Sequence, residues 1–215
     1  LVTVSSTEGR GAGKGELTRS AILAAAIDRF GRDGYRATSV ADIAREAGVS
    51  GTATYAHFPN KEALFLAAVD EDAAGTITEG LAHLVHEGAT VDDWRQGLLF
   101  VLLDALERHP LARRLLAGLE PEVTVRVLDM PALEEMRKAV AERLRADQAI
   151  GRVRPDIDPP LVADGIVAIV LSLLMSVVQL GPGAATAYAG AVTAVFAAAV
   201  EPTALTREAP DPPAR

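Results

Sequence analysis

The sequence predicts an all-α protein, and three observations carry that prediction. Ala, Leu and Val dominate a chain that is 49% hydrophobic and only 4% aromatic. Apolar residues recur at helical spacing along most of its length, and Gly or Pro stands between the periodic stretches. The 215 residues allow one large or two small domains. Cysteine is absent, which removes disulfides and thiolate chemistry and leads us to expect a cytoplasmic protein.

Residues 1–16 are polar and rich in Gly and Ser, so a disordered arm is expected, in which Arg10 and Lys14 carry positive charge. The arm lacks the apolar run of a signal peptide. The first helix is expected from about Thr18 to Asp33, with Ile22, Ala25, Ala26 and Phe30 as its buried stripe and Gly34 as its stop.

Residues 39–65, SVADIAREAGVSGTATYAHFPNKEALF, predict two short helices joined by a tight turn. Val40, Ile43, Ala44 and Ala47 give the first of these an apolar face. Gly48 supplies the turn, Val49 plugs the space beneath it, and Ser50 is placed to cap the helix from Gly51 to His57. Thr52, Thr54 and Tyr55 are expected on the outer side of that helix, where short or flat polar groups suit phosphate oxygens and base edges. Phe58 is expected in the core. Asn60 can cap a fourth helix beginning near Lys61, and Lys61 puts a cation beside its first turn.

The net charge of −8 conceals a split. Residues 1–66 hold eight Lys or Arg against seven Asp or Glu, a balance of +1, so the rest holds 13 against 22, a balance of −9. Any DNA affinity must then come from a few placed cations, with Arg19, Arg36, Arg45 and Lys61 the candidates, and from pairing of two chains.

The block from about residue 17 to 66 resembles the DNA-binding domain of the TetR family of transcriptional regulators. The resemblance rests on Phe30 and Gly34, Thr38-Ser39-Val40, Ala47-Gly48-Val49-Ser50, and Tyr55-Ala56-His57-Phe58 followed by Asn60-Lys61-Glu62. It implies that Thr38, Tyr55, His57 and Lys61 touch the DNA backbone and that the exposed face of the third helix reads bases. In this chain Ala53 fills the place where the family more often has Thr, which leaves Thr52 or Thr54 to take over that contact. The full DNA-facing set is therefore Thr38, Arg45, Ser50, Gly51, Thr52, Thr54, Tyr55, His57 and Lys61.

Beyond residue 66 further helices are expected over Val91–Arg108, Leu111–Leu119 and Pro131–Ala149, each ending before a Pro or Gly. The alternating run from Glu122 to Met130 is expected to be helical or irregular, because a single strand would have no partner. Pro160–Leu180 and Ala184–Val200 predict an apolar hairpin about Gly181-Pro182-Gly183. A membrane hairpin is the rival reading; the first stretch falls short of a span, so buried helices are expected and no membrane partner. The last residues, from 202, are Pro-rich and should fray. The expected organisation is thus an arm (1–16), a helix-turn-helix domain (17–66), a helical effector-binding and dimerisation domain (67–201) and a tail (202–215).

The resemblance also implies a homodimer and a small-molecule effector. Ala184, Ala187, Ala191, Ala194 and Ala198 would permit close approach across a dimer interface, although an intrachain core is the alternative. Trp94, Phe100, Leu103, Met130, Met136 and Met175 are candidate pocket residues, with Arg113, Arg126, Gln179 or Tyr188 as polar anchors. An apolar lining argues for a hydrophobic or amphipathic effector. No catalytic constellation assembles, so no enzyme and no cofactor is expected. Gly9 to Lys14 superficially resembles a phosphate loop, but no strand precedes it and its spacing is wrong. His83 and His86 lack a metal-site pattern, so no metal is expected. The resemblance implies a ligand-released repressor that binds a palindromic double-stranded operator; a helical small-molecule-binding protein without DNA recognition is the alternative.

Overall fold

The computed structural model describes residues 13–84, 91–124 and 130–202, and among these the regular structure is ten helices with no strand. Helix α1 (Lys14–Ala37) is longer than expected at both ends. Its one non-helical residue is Gly34, at φ 81° and ψ 167°, so regular helix does stop where the sequence places its end, and a further short turn runs to Ala37. Glycine is needed there twice over, because the conformation is left-handed and a side chain would meet the Arg114 guanidinium. Helices α2 (Val40–Glu46) and α3 (Gly51–His57) follow, and then the long α4 (Lys61–Leu84).

The remaining helices are α5 (Val91–Ala105), α6 (Pro110–Leu116), α7 (Pro121–Thr124), α8 (Pro131–Ala149), α9 (Pro159–Leu180) and α10 (Gly183–Val200). Helix α5 ends three residues before the expected Arg108. Helix α6 ends at Leu116 instead of Leu119, because Gly118 turns the chain at φ 72° and the Leu119 N–H reaches back to the Arg114 carbonyl. The alternating run after Pro121 begins as α7; its residues 125–129 lie outside those described.

Helix α4 is the spine, packing against α1, α5, α6 and α8. One continuous buried cluster runs from Ile22, Phe30 and Ile43 through Leu64 and Leu98 to Leu144, Ile166 and Val200, so the helix-turn-helix and the later helices share a core. Burial of apolar surface on this scale is the main stabilising contribution. Helix α9 corrects one expectation: at 22 residues it is long and apolar enough to cross a membrane. Its Ala163, Ile166, Val167, Val170 and Leu174 are nonetheless buried within the fold.

Candidate functional site

Local capping makes the helix-turn-helix. The Ser39 hydroxyl accepts the Asp42 N–H at 3.1 Å, Ser50 accepts the Ala53 N–H at 3.1 Å, and the Asn60 side-chain oxygen accepts the Ala63 N–H at 2.7 Å. Each cap satisfies one of the free N–H groups that begin a helix and fixes where α2, α3 and α4 start. Gly48 stands at φ 67° with open space around it, so backbone conformation alone demands glycine.

Helix α3 turns Thr54 and Phe58 inward, and leaves Gly51, Thr52, Tyr55 and Ala56 exposed; Tyr55 is 54% exposed. Ser50 and Arg45 are also exposed, and His57 and Lys61 are partly so. Two expectations need correction. Thr54 is fully buried, one turn before the buried Phe58 and on the same side as it, and its hydroxyl donates to the Ser50 carbonyl at 3.3 Å. Thr38 is buried as well, its hydroxyl donating to the Gly34 carbonyl at 2.8 Å across the kink of α1. Neither side chain is presented on the face that carries Tyr55. Of the two threonines of α3, Thr52 is the exposed one.

The cations around this face are held. The Lys61 ammonium lies 4.4 Å from the centroid of the Tyr35 ring, and the Arg19 guanidinium lies 5.4 Å from that of Phe58. Tyr35 is itself set by Phe65, with ring centroids 4.8 Å apart. Arg45 pairs with Asp42, and Arg36 with Glu122 at 3.3 Å. The Ser39 hydroxyl, donating at 2.6 Å, and then Arg45 hold the Asp42 carboxyl below the usual carboxylate range.

A second site lies between α4, α5, α6, α8 and α9, where an apolar cavity of about 70 Å³, partly open to solvent, is bordered by Thr76, Leu102, Ala112, Met136 and Leu174 among others. Of the expected lining residues, Met130 and Met136 border it. Leu103 and Met175 pack against the core elsewhere. Phe100 is 66% exposed, because α5 turns it outward. Arg113 pairs with Glu107 at 2.7 Å on the surface, and Gln179 donates to the Leu116 carbonyl at 2.8 Å, capping the end of α6. Arg126, His86 and the side chains of Trp94 and Tyr188 lie outside the described residues. On α10 Ala187, Ala191, Ala194 and Ala198 are exposed and Ala184 is partly so.

Sequence reasoning missed the joint that ties these sites together. The buried Asp72 carboxylate accepts the N–H groups of Leu111 and Ala112 at 2.9 and 2.8 Å, with His109 Nδ1 2.8 Å away, so α4 caps the start of α6. Farther along, Glu120 Oε1 accepts both Arg114 Nε–H at 2.8 Å and the Tyr35 N–H at 3.1 Å, linking α6 to the end of α1. The signal for Asp72 was positional: it lies on the same helix face as Phe65, Ala68, Val69 and Thr76, all buried, and an acid on an apolar stripe needs partners. Glu120 carried no comparable signal.

Comparison with known proteins places these sites in context. The profile described as bacterial regulatory proteins, tetR family, matches residues 22–68. The chain is similar to the transcriptional repressor AcnR of Corynebacterium diphtheriae, with 33% identity over 66% of this chain and 70% of that one. It is 47% identical over 49 residues to the transcriptional regulator RutR of Escherichia coli, covering 23% of each. In fold it is similar to a TetR-family transcriptional regulator from Cytophaga hutchinsonii, with a TM-score of 0.69 at 19% identity over 90% of this chain and all of that one.

Proposed function

The chain belongs to the TetR family of bacterial regulatory proteins, and on that basis we propose that it binds a two-fold-related operator as a dimer and leaves it when a small hydrophobic or amphipathic molecule fills the cavity beside α6. It is a DNA-binding, ligand-responsive transcriptional regulator and not an enzyme. The reading without DNA recognition is not favoured, since the relatives are regulators.

The observation that carries the proposal is the face of α3, a helix fixed at both ends that exposes Thr52 and Tyr55 while Thr54 and Phe58 anchor it beneath. Such a helix fits a major groove. Thr52 and the edge of Tyr55 would meet bases or phosphates; Ser50, Gly51, Arg45, His57 and Lys61 would meet the backbone and set register. The helix-turn-helix would then occupy residues 17–66, with effector binding and dimerisation in 67–201.

One α3 reads too few bases to single out an operator, whereas two related by a two-fold axis double the address. The exposed small residues of α10, Ala187, Ala191, Ala194 and Ala198, support the dimer contact there, because small side chains let helices approach closely. Release would run through α6. Ala112, Leu115 and Leu116 border the cavity, the start of α6 hangs on Asp72, and its far end reaches Tyr35 through Glu120. A molecule that displaces α6 thereby shifts the ring on which Lys61 rests. Each factor of ten in release takes about 1.4 kcal/mol of preference for the released state.

Sedimentation velocity of the protein with a duplex from the DNA flanking its own gene tests the dimer reading. Two chains, or a multiple of two, per two-fold site are expected; saturation at one chain per duplex would contradict it.

A further inference from the structure

The described lining of the cavity contains neither a charged side chain nor an aromatic ring. Its one polar side chain is Thr76, 6% exposed, whose hydroxyl already donates to the Asp72 carbonyl at 3.2 Å and so offers only its oxygen as an acceptor. A charged ligand entering here would exchange its hydration for methyl groups with no counter-ion among the described lining residues, which the desolvation of ions strongly opposes. A planar aromatic cation would find no ring to stack on among the described lining residues. Branched and thioether side chains remain, and Met130 and Met136, unbranched and polarisable, can adapt to the outline of a flexible hydrocarbon.

Gly80 of α4 keeps this space open. A Cβ built there would lie 2.8 Å from Leu102 Cδ2 and 2.8 Å from Met136 Cε, both ends of side chains that border the cavity. Any side chain at position 80 must displace those two groups, and both belong to residues that border the cavity.

We propose that the cavity takes an uncharged aliphatic molecule, an alkyl or alicyclic body carrying at most a hydroxyl or similar neutral donor for Thr76, and excludes carboxylates, amines and planar aromatic cations. This rests on the reading of the cavity as the effector site and narrows it to one chemical class. The hydrocarbon body supplies the affinity through burial of apolar surface, and the lack of a counter-charge among the described lining residues supplies the selectivity.

The test uses the full chain with 1-octanol, octanoate and octylammonium, which share a chain length and differ in head group, and with ethidium as a planar aromatic cation. Binding is followed by calorimetry and by the shift in Tm. The expected result is saturable binding of 1-octanol, at least tenfold tighter than that of either charged analogue, with no competition from ethidium. Gly80→Ala, which favours helix and should fold, is expected to weaken octanol binding at least tenfold. Val170→Phe, filling the cavity from α9, is expected to do the same and serves if Gly80→Ala fails to fold.

Absence of saturable octanol binding would overturn the proposal. So would octanoate or octylammonium binding within threefold of octanol, or octanol binding unchanged in the folded filling variants. Operator anisotropy in the same samples separates the two readings. Octanol that binds with the expected selectivity yet leaves the DNA complex intact would uphold the ligand class and defeat the effector reading.

Discussion

The Lys61 ammonium rests over the ring of Tyr35, 4.4 Å from its centroid, while the Tyr35 N–H is held by Glu120 at 3.1 Å. A cation that would meet DNA is thus supported by a residue anchored to the helix that borders the cavity. Replacing Tyr35 with Leu should weaken operator binding by roughly three- to tenfold, the scale of a partly exposed cation–π contact. Tyr35→Phe retains the ring face and should bind almost as the parent does. Anisotropy titrations of the two variants check this, and equal losses in both would contradict it.

Thr52 and Thr54 lie two residues apart and should behave differently. Thr54→Val removes a buried hydroxyl bonded to the Ser50 carbonyl, costing about 1 kcal/mol of stability, and should leave sequence preference unchanged. Thr52→Ala should leave urea stability unchanged and weaken operator binding roughly fivefold or alter its preference. Denaturation and DNA titration of both proteins decide the point.

Removing Asp72 should cost more than any surface charge in this chain. Asp72→Ala orphans the N–H groups of Leu111 and Ala112 and strands His109, for an expected loss of about 2–4 kcal/mol. Asp72→Asn keeps an acceptor and should lose about half of that. Equilibrium urea unfolding measures both, and a neutral Asp72→Ala would show that α6 is not held from α4.

The caps and the turn give a smaller set of values. Ser50→Ala should destabilise by about 1 kcal/mol through loss of the α3 cap. Gly48→Ala should cost about 1–2 kcal/mol because φ is 67° there. Gly48→Asn should cost less, since Asn enters that region more easily. Thermal unfolding of the three proteins orders them.

The Asp42 carboxyl titrates below its ordinary range because the folded state favours its charged form. Its contribution to stability is therefore present above the unfolded pKa and is lost as pH falls through the lowered folded value. Ser39→Ala and Arg45→Ala should each move the Asp42 midpoint up toward the ordinary value, the first by removing the hydroxyl donor and the second by removing both a hydrogen bond and a positive charge. Carboxyl titration by NMR reads both shifts.

Much of this was legible in the sequence, and for identifiable reasons. Caps at Ser50 and Asn60, the turn at Gly48 and the stop at Gly34 depend on neighbours in the chain, so local chemistry specifies them. The orientation of Thr54 was misread because α3 is only seven residues long, too short for periodicity to fix which face is buried. Phe100 was misassigned to the pocket because residue type does not say which side of α5 faces the core, and Gln179 does reach α6 but its amide is taken by the Leu116 carbonyl. The Asp72 and Glu120 bonds join residues about 40 and 85 positions apart, beyond what local pattern can reveal.

In the proposed complex the outer face of α3, steadied by Lys61, recognises a particular DNA sequence. The most direct test is fluorescence anisotropy of the protein and of its Tyr55→Ala, Lys61→Ala double variant, on DNA flanking its own gene and on scrambled DNA, at two salt concentrations. The expected result is preference for one segment by the parent, its loss in a variant that remains folded and dimeric, and a moderate dependence on salt. Equal binding of the parent to every duplex, or a double variant that binds as the parent does, would contradict it.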